Sequence, residues 1–342
     1  PSPRGGRVLS WKLIKFQAVP GDPSKGPVDL VSLEAREIDR RPLILYTGDR
    51  TLDATVNEAP CVVEQRAANA EEIAARGFPA GTQKISFRWA DGRGLALAKD
   101  LYLPPDDEYL ARLEWSLTRN GQPLEGTALW WGPSVGNPPP GGKESRYHYR
   151  GRAELAIGSR VQQILPEKTT GDLVLSGPDY PHWVALDEQF FAVALIPDRP
   201  GPAAVRAVPV PGQANAALAL TTTANTMRIF AGPKSDRLLR TIDGRLGTDL
   251  ASLIPWGTLG FIARPLYVVL AFFEAWTGNW GWAIVIITVL IKVLFFPLTQ
   301  NSMVKMRKAQ QDMGRLQPKI HKLREKFKLE EAKAKDRSQK LQ

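Results

Sequence analysis

The run Trp280–Leu298, WGWAIVIITVLIKVLFFPL, carries a single charge in 19 residues. As an α-helix it is ~28 Å long at about 1.5 Å per residue, close to the roughly 30 Å hydrocarbon core of a bilayer. The rest of the chain offers no comparably apolar elements to bury it, so the run reads as a membrane span. Trp280 and Trp282 at one end suit the water–lipid interface, where an indole buries its ring and keeps its N–H wet.

This span divides the charge. The net +10 suggests a nucleic-acid partner until it is located. Residues 300–342 hold 13 Lys/Arg against 5 Asp/Glu, whereas residues 1–250 hold 30 against 29. The basicity is a tail on a nearly neutral region. The single cysteine, Cys61, excludes a disulfide framework and any all-cysteine metal site. Three scattered histidines (His148, His182, His321) argue against a metalloenzyme.

Residues 1–250 show short runs of alternating apolar and polar residues, among them Val8–Phe16, Lys84–Ala90, Arg112–Thr118, Thr127–Trp131, Gly171–Leu175, Trp183–Ile196 and Met227–Ala231. Period-two alternation is the half-buried strand pattern. Asn120-Gly121 lies between two such runs and is a hairpin signal, since both residues tolerate positive φ. Of 28 prolines, 24 precede residue 255, where they suit strand edges and loops. The expectation is a large β-sandwich closed by a helix over Ser235–Gly244. Gly5-Gly6 and Pro138-Pro139-Pro140-Gly141-Gly142 read as loops, because neither has the strand–loop–helix context of a phosphate cradle. His182 with Asp187 and Glu188 suggests an acid/base set on a sugar-binding sandwich; the plainer expectation places them on a strand's solvent face. Trp130-Trp131 suggests a stacking platform, although adjacent strand residues face opposite ways and at most one joins a given surface; core packing for one of them is the plainer expectation.

Ahead of the span, Thr258–Trp276 is apolar but interrupted by Arg264-Pro265. The break leaves 11 or 12 apolar residues, too short to cross, so an amphipathic interfacial helix is expected over 255–277. A hairpin of two spans turned at Thr277-Gly278-Asn279 is the alternative. Within the span, Lys292 lies ~10 Å from the Thr299 end. An ammonium at that depth costs a few kcal/mol and persists where it meets water or a counter-charge, or where its own stem lets it snorkel to the headgroups.

Beyond the span, Met306, Met313, Ile320 and Phe327 repeat at one heptad position and Ala309, Leu316 and Leu323 at another. Such a stripe needs a second helix, and none follows before Gln342. Pro318 is expected to kink this helix or to open a new one. Positive charge flanking a span stays in the cytoplasm, which puts 300–342 inside and 1–250 outside. Pro1–Gly6 contains no export signal; a preceding anchor and further C-terminal sequence are therefore expected outside this chain.

Gly278-Asn279-Trp280-Gly281, the apolar span ending Phe296-Pro297-Leu298-Thr299, Lys305-Met306 and Leu316-Gln317-Pro318-Lys319-Ile320 together resemble the YidC family of bacterial membrane protein insertases. Arg7–Trp11, Trp183–Leu186 and Phe230–Lys234 resemble further family segments. The resemblance implies a non-enzymatic insertase and chaperone of the inner membrane, without cofactor or metal and multi-pass in the full protein. It implies a periplasmic β-supersandwich over 1–250, an interfacial helix over 255–277, a transmembrane helix over 278–299 and a truncated basic cytoplasmic hairpin over 300–342. Lys292 and Thr288 would line a hydrophilic groove, with lysine standing where the family usually has arginine. Lysine keeps the charge and loses the planar donor fork. Trp276, Trp280 and Trp282 would anchor the interface. Lys305, Arg307, Lys308, Arg315, Lys319, Lys322 and Arg324 would meet the ribosome and the signal recognition particle receptor. Nascent inner-membrane proteins, the Sec translocon and membrane lipids complete the implied partners. The rival reading is a mutarotase-like or carbohydrate-binding β-sandwich anchored by one span. A nucleic-acid arm is disfavoured by the heptad, which a plain RNA-binding arm does not need.

Overall fold

The computed structural model describes residues 1–19, 21–105, 109–136, 151–166, 172–175, 180–211 and 216–339, without the side chains of 172–175, 315, 319, 329 and 331–339. The Pro138–Gly142 run and His148 lie outside the described residues. The chain forms two units, Pro1–Pro255 and Trp256–Gln342.

The first unit is built on antiparallel sheets. The larger runs in the order β11 (Arg160–Ile164), β10 (Arg152–Ile157), β13 (Trp183–Asp187), β14 (Phe191–Pro197), β17 (Thr226–Pro233), β7 (Leu110–Arg119), β6 (Leu95–Leu103), β5 (Gln83–Ala90), β4 (Val62–Ala67), with β8 (Gln122–Pro123) paired to β7. The smaller runs β12 (Asp172–Leu175), β15 (Ala203–Val208), β16 (Ala217–Thr222), β9 (Ala128–Trp131), β3 (Leu45–Tyr46). β1 (Lys12–Gln17) and β2 (Pro27–Asp29) form a separate ribbon. Asn120 and Gly121 turn β7 into β8 with φ of 52° and 78°, the doubly left-handed geometry that the Asn-Gly pair permits. The run Trp183–Ile196 is two strands, not one; Glu188–Phe190 turn it, and Val184 pairs with Leu195.

Alternation explains the layers. Leu155, Val184, Leu186, Leu195 and Ile229 of the large sheet meet Leu129, Trp131, Val205 and Leu220 of the small one in a single core. The opposite face of the large sheet carries Trp183, Ala185, Ala192, Ala194 and Phe230, and it too is covered. Its cover is α4 (Asp236–Leu246), through Leu239 and Ile242, with the 3₁₀ turn Leu250–Leu253. Alanine at three of these positions lets the helix approach the strands. α4 starts at Ser235 and ends on Gly247 in the left-handed conformation, a common helix stop. Three short helices, α1 (Leu33–Glu37), α2 (Arg50–Glu58) and α3 (Ala70–Arg76), interrupt the strands. Each has a side-chain N-cap, Ser32, Asp49 and Asn69 respectively, a local signal that the alternation pattern passes over.

Lys99 is one of several ionisable side chains buried in the sandwich. Lys99 of β6 is fully enclosed and donates from Nζ to the Gly5 and Leu43 carbonyls at 2.6 and 2.5 Å. Among the described residues no carboxylate pairs with it. Burial lowers its pKa from an ordinary 10.5 to about 7, and the neighbouring Cys61 offsets part of that fall. Between these two values the unfolded chain holds a proton that the folded chain has shed, so stability rises with pH from about 7 upward. The Lys99→Met variant is expected to lose this rise. Urea-unfolding midpoints of the chain in detergent, taken between pH 7 and 10, test it, and equal slopes for variant and parent would contradict it.

The second unit consists of α5 (Gly260–Thr277) and α6 (Trp280–Gln339), joined by Gly278 and Asn279. Gly278, with φ 66°, caps α5, and the Asn279 side chain accepts from the Gly281 N–H at 2.7 Å to start α6. Pro265 does not split α5. It sits one and a half turns in, where it forfeits one bond, the one to the Phe261 carbonyl. Pro318 likewise opens no new helix, and α6 runs through it to Gln339. A second arm of a hairpin is not among the described residues.

Candidate functional site

α5 and α6 pack against each other, and the exposure pattern shows which sides meet. On α6 the covered positions are Ala283, at 0% exposure, and the half-buried Ile286 and Ile287. On α5 the covered positions are Gly260, Ala263, Tyr267, Leu270, Ala271, Phe273, Glu274 and Thr277, which fall on one side of the helix. Apart from Arg264, the rest of α5 is not polar: Phe261, Val268, Phe272 and Trp276 are exposed. Both sides of the helix are thus largely apolar, with one side toward α6 and the other open and carrying Arg264.

At about 100° per residue, Gly281, Thr288, Lys292 and Thr299 fall within roughly 40° of one another on α6. This seam lies about 180° from Ala283, Ile286 and Ile287, so α5 covers the opposite side. Thr288 and Lys292 are exposed one turn apart, as is every α6 residue of described exposure from Thr288 onward, since α5 covers the opposite side only over Ala283–Ile287. The Thr288 hydroxyl donates to the Ile284 carbonyl at 2.6 Å and the Thr299 hydroxyl to the Phe295 carbonyl at 2.9 Å. Both threonines thus satisfy their own donors within the helix, leaving the Lys292 ammonium as the charge of the seam. Because α6 is continuous, Met306 falls on the same side by the same count, and the tail's heptad stripe continues from the seam.

Trp276, Trp280 and Trp282 are all exposed and lie within a turn of Gly278-Asn279. Lys305, Arg307, Lys308, Lys322 and Arg324 are exposed along α6; the side chains of Arg315 and Lys319 lie outside the described residues. The heptad residues Met306, Met313, Leu316, Ile320, Leu323 and Phe327 are exposed too, so a partner helix for them is not among the described residues. α6 is the one helix among the described residues long and apolar enough to cross a membrane.

Among the described residues the sandwich does not bring His182 and Asp187 together as a sugar site. His182 is exposed at one end of β13 and Asp187 sits at the other, ~16 Å away at about 3.3 Å per residue. Asp187 is not on a solvent face: it is fully buried, bound to Arg152 Nε at 2.8 Å and Lys234 Nζ at 2.6 Å. Arg152 also reaches Glu154 at 2.8 Å, and Gln163 donates to that carboxylate at 3.1 Å. Burial pushes the carboxyls of Glu154 and Glu188 up to about 7. Sequence alternation marks Asp187 as outward from the core and cannot show that α4 and the residues after β17 close over that face. Trp130 and Trp131 are both buried, at 1% and 0% exposure, because β9 is covered on two sides. Trp131 enters the main core, and Trp130 packs with Ile44, Val208 and Ala219. No stacking platform remains. A shallow pocket of ≈ 660 Å³ over β4–β7 is lined by Val62, Arg88, Ala90, Ala98, Ser116 and Thr118 among others, with neither a carboxylate nor an imidazole.

The segments singled out in the two halves of the sandwich meet in space. Trp183 and Phe230 share the cluster beneath α4, and Lys234, just past β17, is with Arg152 one of the two cations that meet Asp187.

Comparison with known proteins follows this architecture. The family profile described as YidC periplasmic domain matches residues 2–269, and that described as 60Kd inner membrane protein matches 272–342. Membrane protein insertase YidC of Geobacter metallireducens is 30% identical over 343 residues, covering 96% of this chain and 58% of the relative. Its namesake in Geobacter sulfurreducens is 31% identical over 267 residues, 73% of this chain and 46% of the relative. That of Syntrophobacter fumaroxidans is 36% identical over 199 residues, 54% of this chain and 34% of the relative. The chain spans between about a third and three fifths of the length of these relatives. With both units matched in order, a β-sandwich followed by an apolar helical pair, the chain belongs to the YidC family.

Proposed function

We propose that this chain is the part of a membrane protein insertase and chaperone that carries its outer β-domain, its interfacial helix, one span and the start of its basic cytoplasmic arm. The observation that carries the reading is the open seam of α6. α5 covers α6 only on the opposite side at Ala283, Ile286 and Ile287, so Thr288 and Lys292 stay available to line a hydrophilic groove. A cation there attracts acidic or polar parts of a substrate's extracellular segment and lowers the cost of drawing them into hydrocarbon. The work is electrostatic and hydrophobic, with no covalent step. The charge balance supports the orientation, with 300–342 in the cytoplasm and 1–250 in the periplasm of a multi-pass inner-membrane protein. In that place Lys305, Arg307, Lys308, Lys322 and Arg324 face the ribosome and the signal recognition particle receptor, and nascent inner-membrane proteins are the substrates. The Sec translocon is the proposed partner on the outer side.

A chimaera tests the reading. Residues 1–342 replace the matching segment of the Geobacter metallireducens relative in a strain depleted of its own insertase. Growth and membrane insertion of a small Sec-independent reporter are expected to return to at least half of the level given by the intact relative. A chimaera that reaches the membrane in normal amount and inserts no reporter would reject it. A saturable, millimolar-or-tighter sugar titration of the chain, abolished by His182→Ala, would favour the carbohydrate-binding alternative.

A further inference from the structure

The start of α5 carries a feature that neither the sandwich nor the α6 seam uses. Trp256 folds back over the first turn of the helix, helped by a left-handed Gly257 (φ 65°). Gly260 permits the approach, because a Cβ there would stand 2.8 Å from the Trp256 Cβ. The ring meets Tyr267 edge to face, with centroids 5.7 Å apart, and the Arg264 guanidinium lies over it at 5.6 Å. Trp256, Gly257, Thr258, Gly260, Phe261, Arg264 and Pro265 line an open pocket of ≈ 510 Å³. The pocket thus has a cation and a hydroxyl beside the indole ring of Trp256.

Arg264 is the only cation of α5, and it makes no ion pair among the described residues. The other charge of the helix, Glu274, lies ten residues on, ~15 Å along the axis. Around the pocket the exposed side chains are apolar: Leu259, Phe261, Ile262 and Leu266. A guanidinium without a carboxylate, ringed by exposed aliphatic and aromatic groups, asks for an anion that itself carries hydrocarbon. In water Arg264 would simply be solvated. Beside a membrane the same apolar ring draws it to the headgroup level, where an unpaired cation in hydrocarbon would be costly.

We propose that Arg264, Thr258 and Trp256 form a binding site for the phosphodiester of a membrane phospholipid, with its acyl chains lying along Phe261, Ile262 and Leu266. The guanidinium supplies paired N–H donors matched to phosphate oxygens, and Trp256 holds it in place from below. A lipid seated there tethers the beginning of α5 to the headgroup layer, at the far end of the helix from the Trp276, Trp280 and Trp282 turn. The site rests on the reading of α6 as a membrane span.

Native mass spectrometry of the full chain in detergent, titrated with palmitoyl-oleoyl-phosphatidylglycerol, tests the proposal. The parent is expected to hold one phospholipid about tenfold more tightly than the Arg264→Gln variant, the loss expected for one charge-assisted contact. Gly260→Ala, which displaces Trp256 and keeps the charge, is expected to weaken the same lipid. Arg307→Gln, which removes a tail cation, is expected to leave it in place. Inorganic phosphate at 10 mM should neither add to the chain nor displace the lipid; displacement would make this a free-anion site and overturn the assignment to lipid. Equal retention by parent and Arg264→Gln in a chain that still needs detergent would overturn the site and leave the span standing. A chain that binds no lipid and stays soluble without detergent would instead overturn the span.

Discussion

Replacing Lys292 by leucine in the full-length protein is expected to cut insertion of a Sec-independent substrate with an acidic extracellular segment by about tenfold or more, while arginine at the same position preserves it. The estimate follows from the worth of a hydrogen bond to a charged group, about 1.5–3 kcal/mol, at a point where the hydrocarbon leaves little other solvation for the substrate's carboxylates. The geometry sharpens the expectation. Thr288 and Thr299 spend their hydroxyls on carbonyls of their own helix, so they cannot stand in for the lost ammonium as donors. Lys292→Glu should do worse than leucine, because it repels the same substrate. Protease protection of the reporter, with insertase levels matched by immunoblot, reads the outcome. Parent-level insertion by both the leucine and glutamate variants would make Lys292 a residue that snorkels to the headgroups and nothing more.

Asp187→Ala is expected to be the most damaging single change in the sandwich. The carboxylate is fully enclosed and faces both Arg152 and Lys234. Its removal leaves two cations together in a low-dielectric site, with Glu154 the remaining counter-charge named in that cluster. Breaking a buried pair in this way costs roughly 3–5 kcal/mol, against a total stability of about 5–15 kcal/mol for a typical domain. Urea unfolding followed by tryptophan fluorescence should show the midpoint falling sharply. Trp183 is a convenient reporter, since its indole donates to Asp249 at 2.6 Å in the neighbouring cluster. Asp187→Asn should fall between the two, because it keeps an acceptor and loses the charge. A loss below about 1 kcal/mol for the alanine variant would mean that the cluster is more hydrated than its burial implies.

The β-sandwich was legible because alternation reports a half-buried sheet directly. Runs such as Lys84–Ala90 and Met227–Ala231 became strands almost as read. What failed were inferences that treated a strand's second face as solvent. Asp187 reads as solvent-facing and is buried, and of the two tryptophans, one of which alternation sends to the core, neither is on a surface. In each case another layer covers the face, and alternation carries no information about a layer contributed by residues far away in the chain. The short helices were missed for a different reason. They are too brief to show a helical period, and their caps at Ser32, Asp49 and Asn69 are local marks that also suit turns. Within the second unit, Arg264-Pro265 reads as a break in the sequence, yet a proline so early in a helix costs one hydrogen bond and α5 absorbs it.

The candidate site divides the same way. Sequence alone determined that the chain holds a membrane-length helix, that Lys292 is its one charge, and that the basicity belongs to the segment beyond it. These follow from composition along a line, since hydrocarbon thickness and charge cost depend only on which residues lie in one continuous stretch. Only the tertiary structure decided which side of that helix is open. α5 takes the side of Ala283, Ile286 and Ile287, and the seam of Thr288 and Lys292 is left free. It also decided that Lys99, an ordinary polar residue in a strand pattern, is sealed between two carbonyls, and that Trp256 closes over Gly260 beneath Arg264. Each of these depends on which distant residues come into van der Waals contact, and that is fixed by packing in three dimensions.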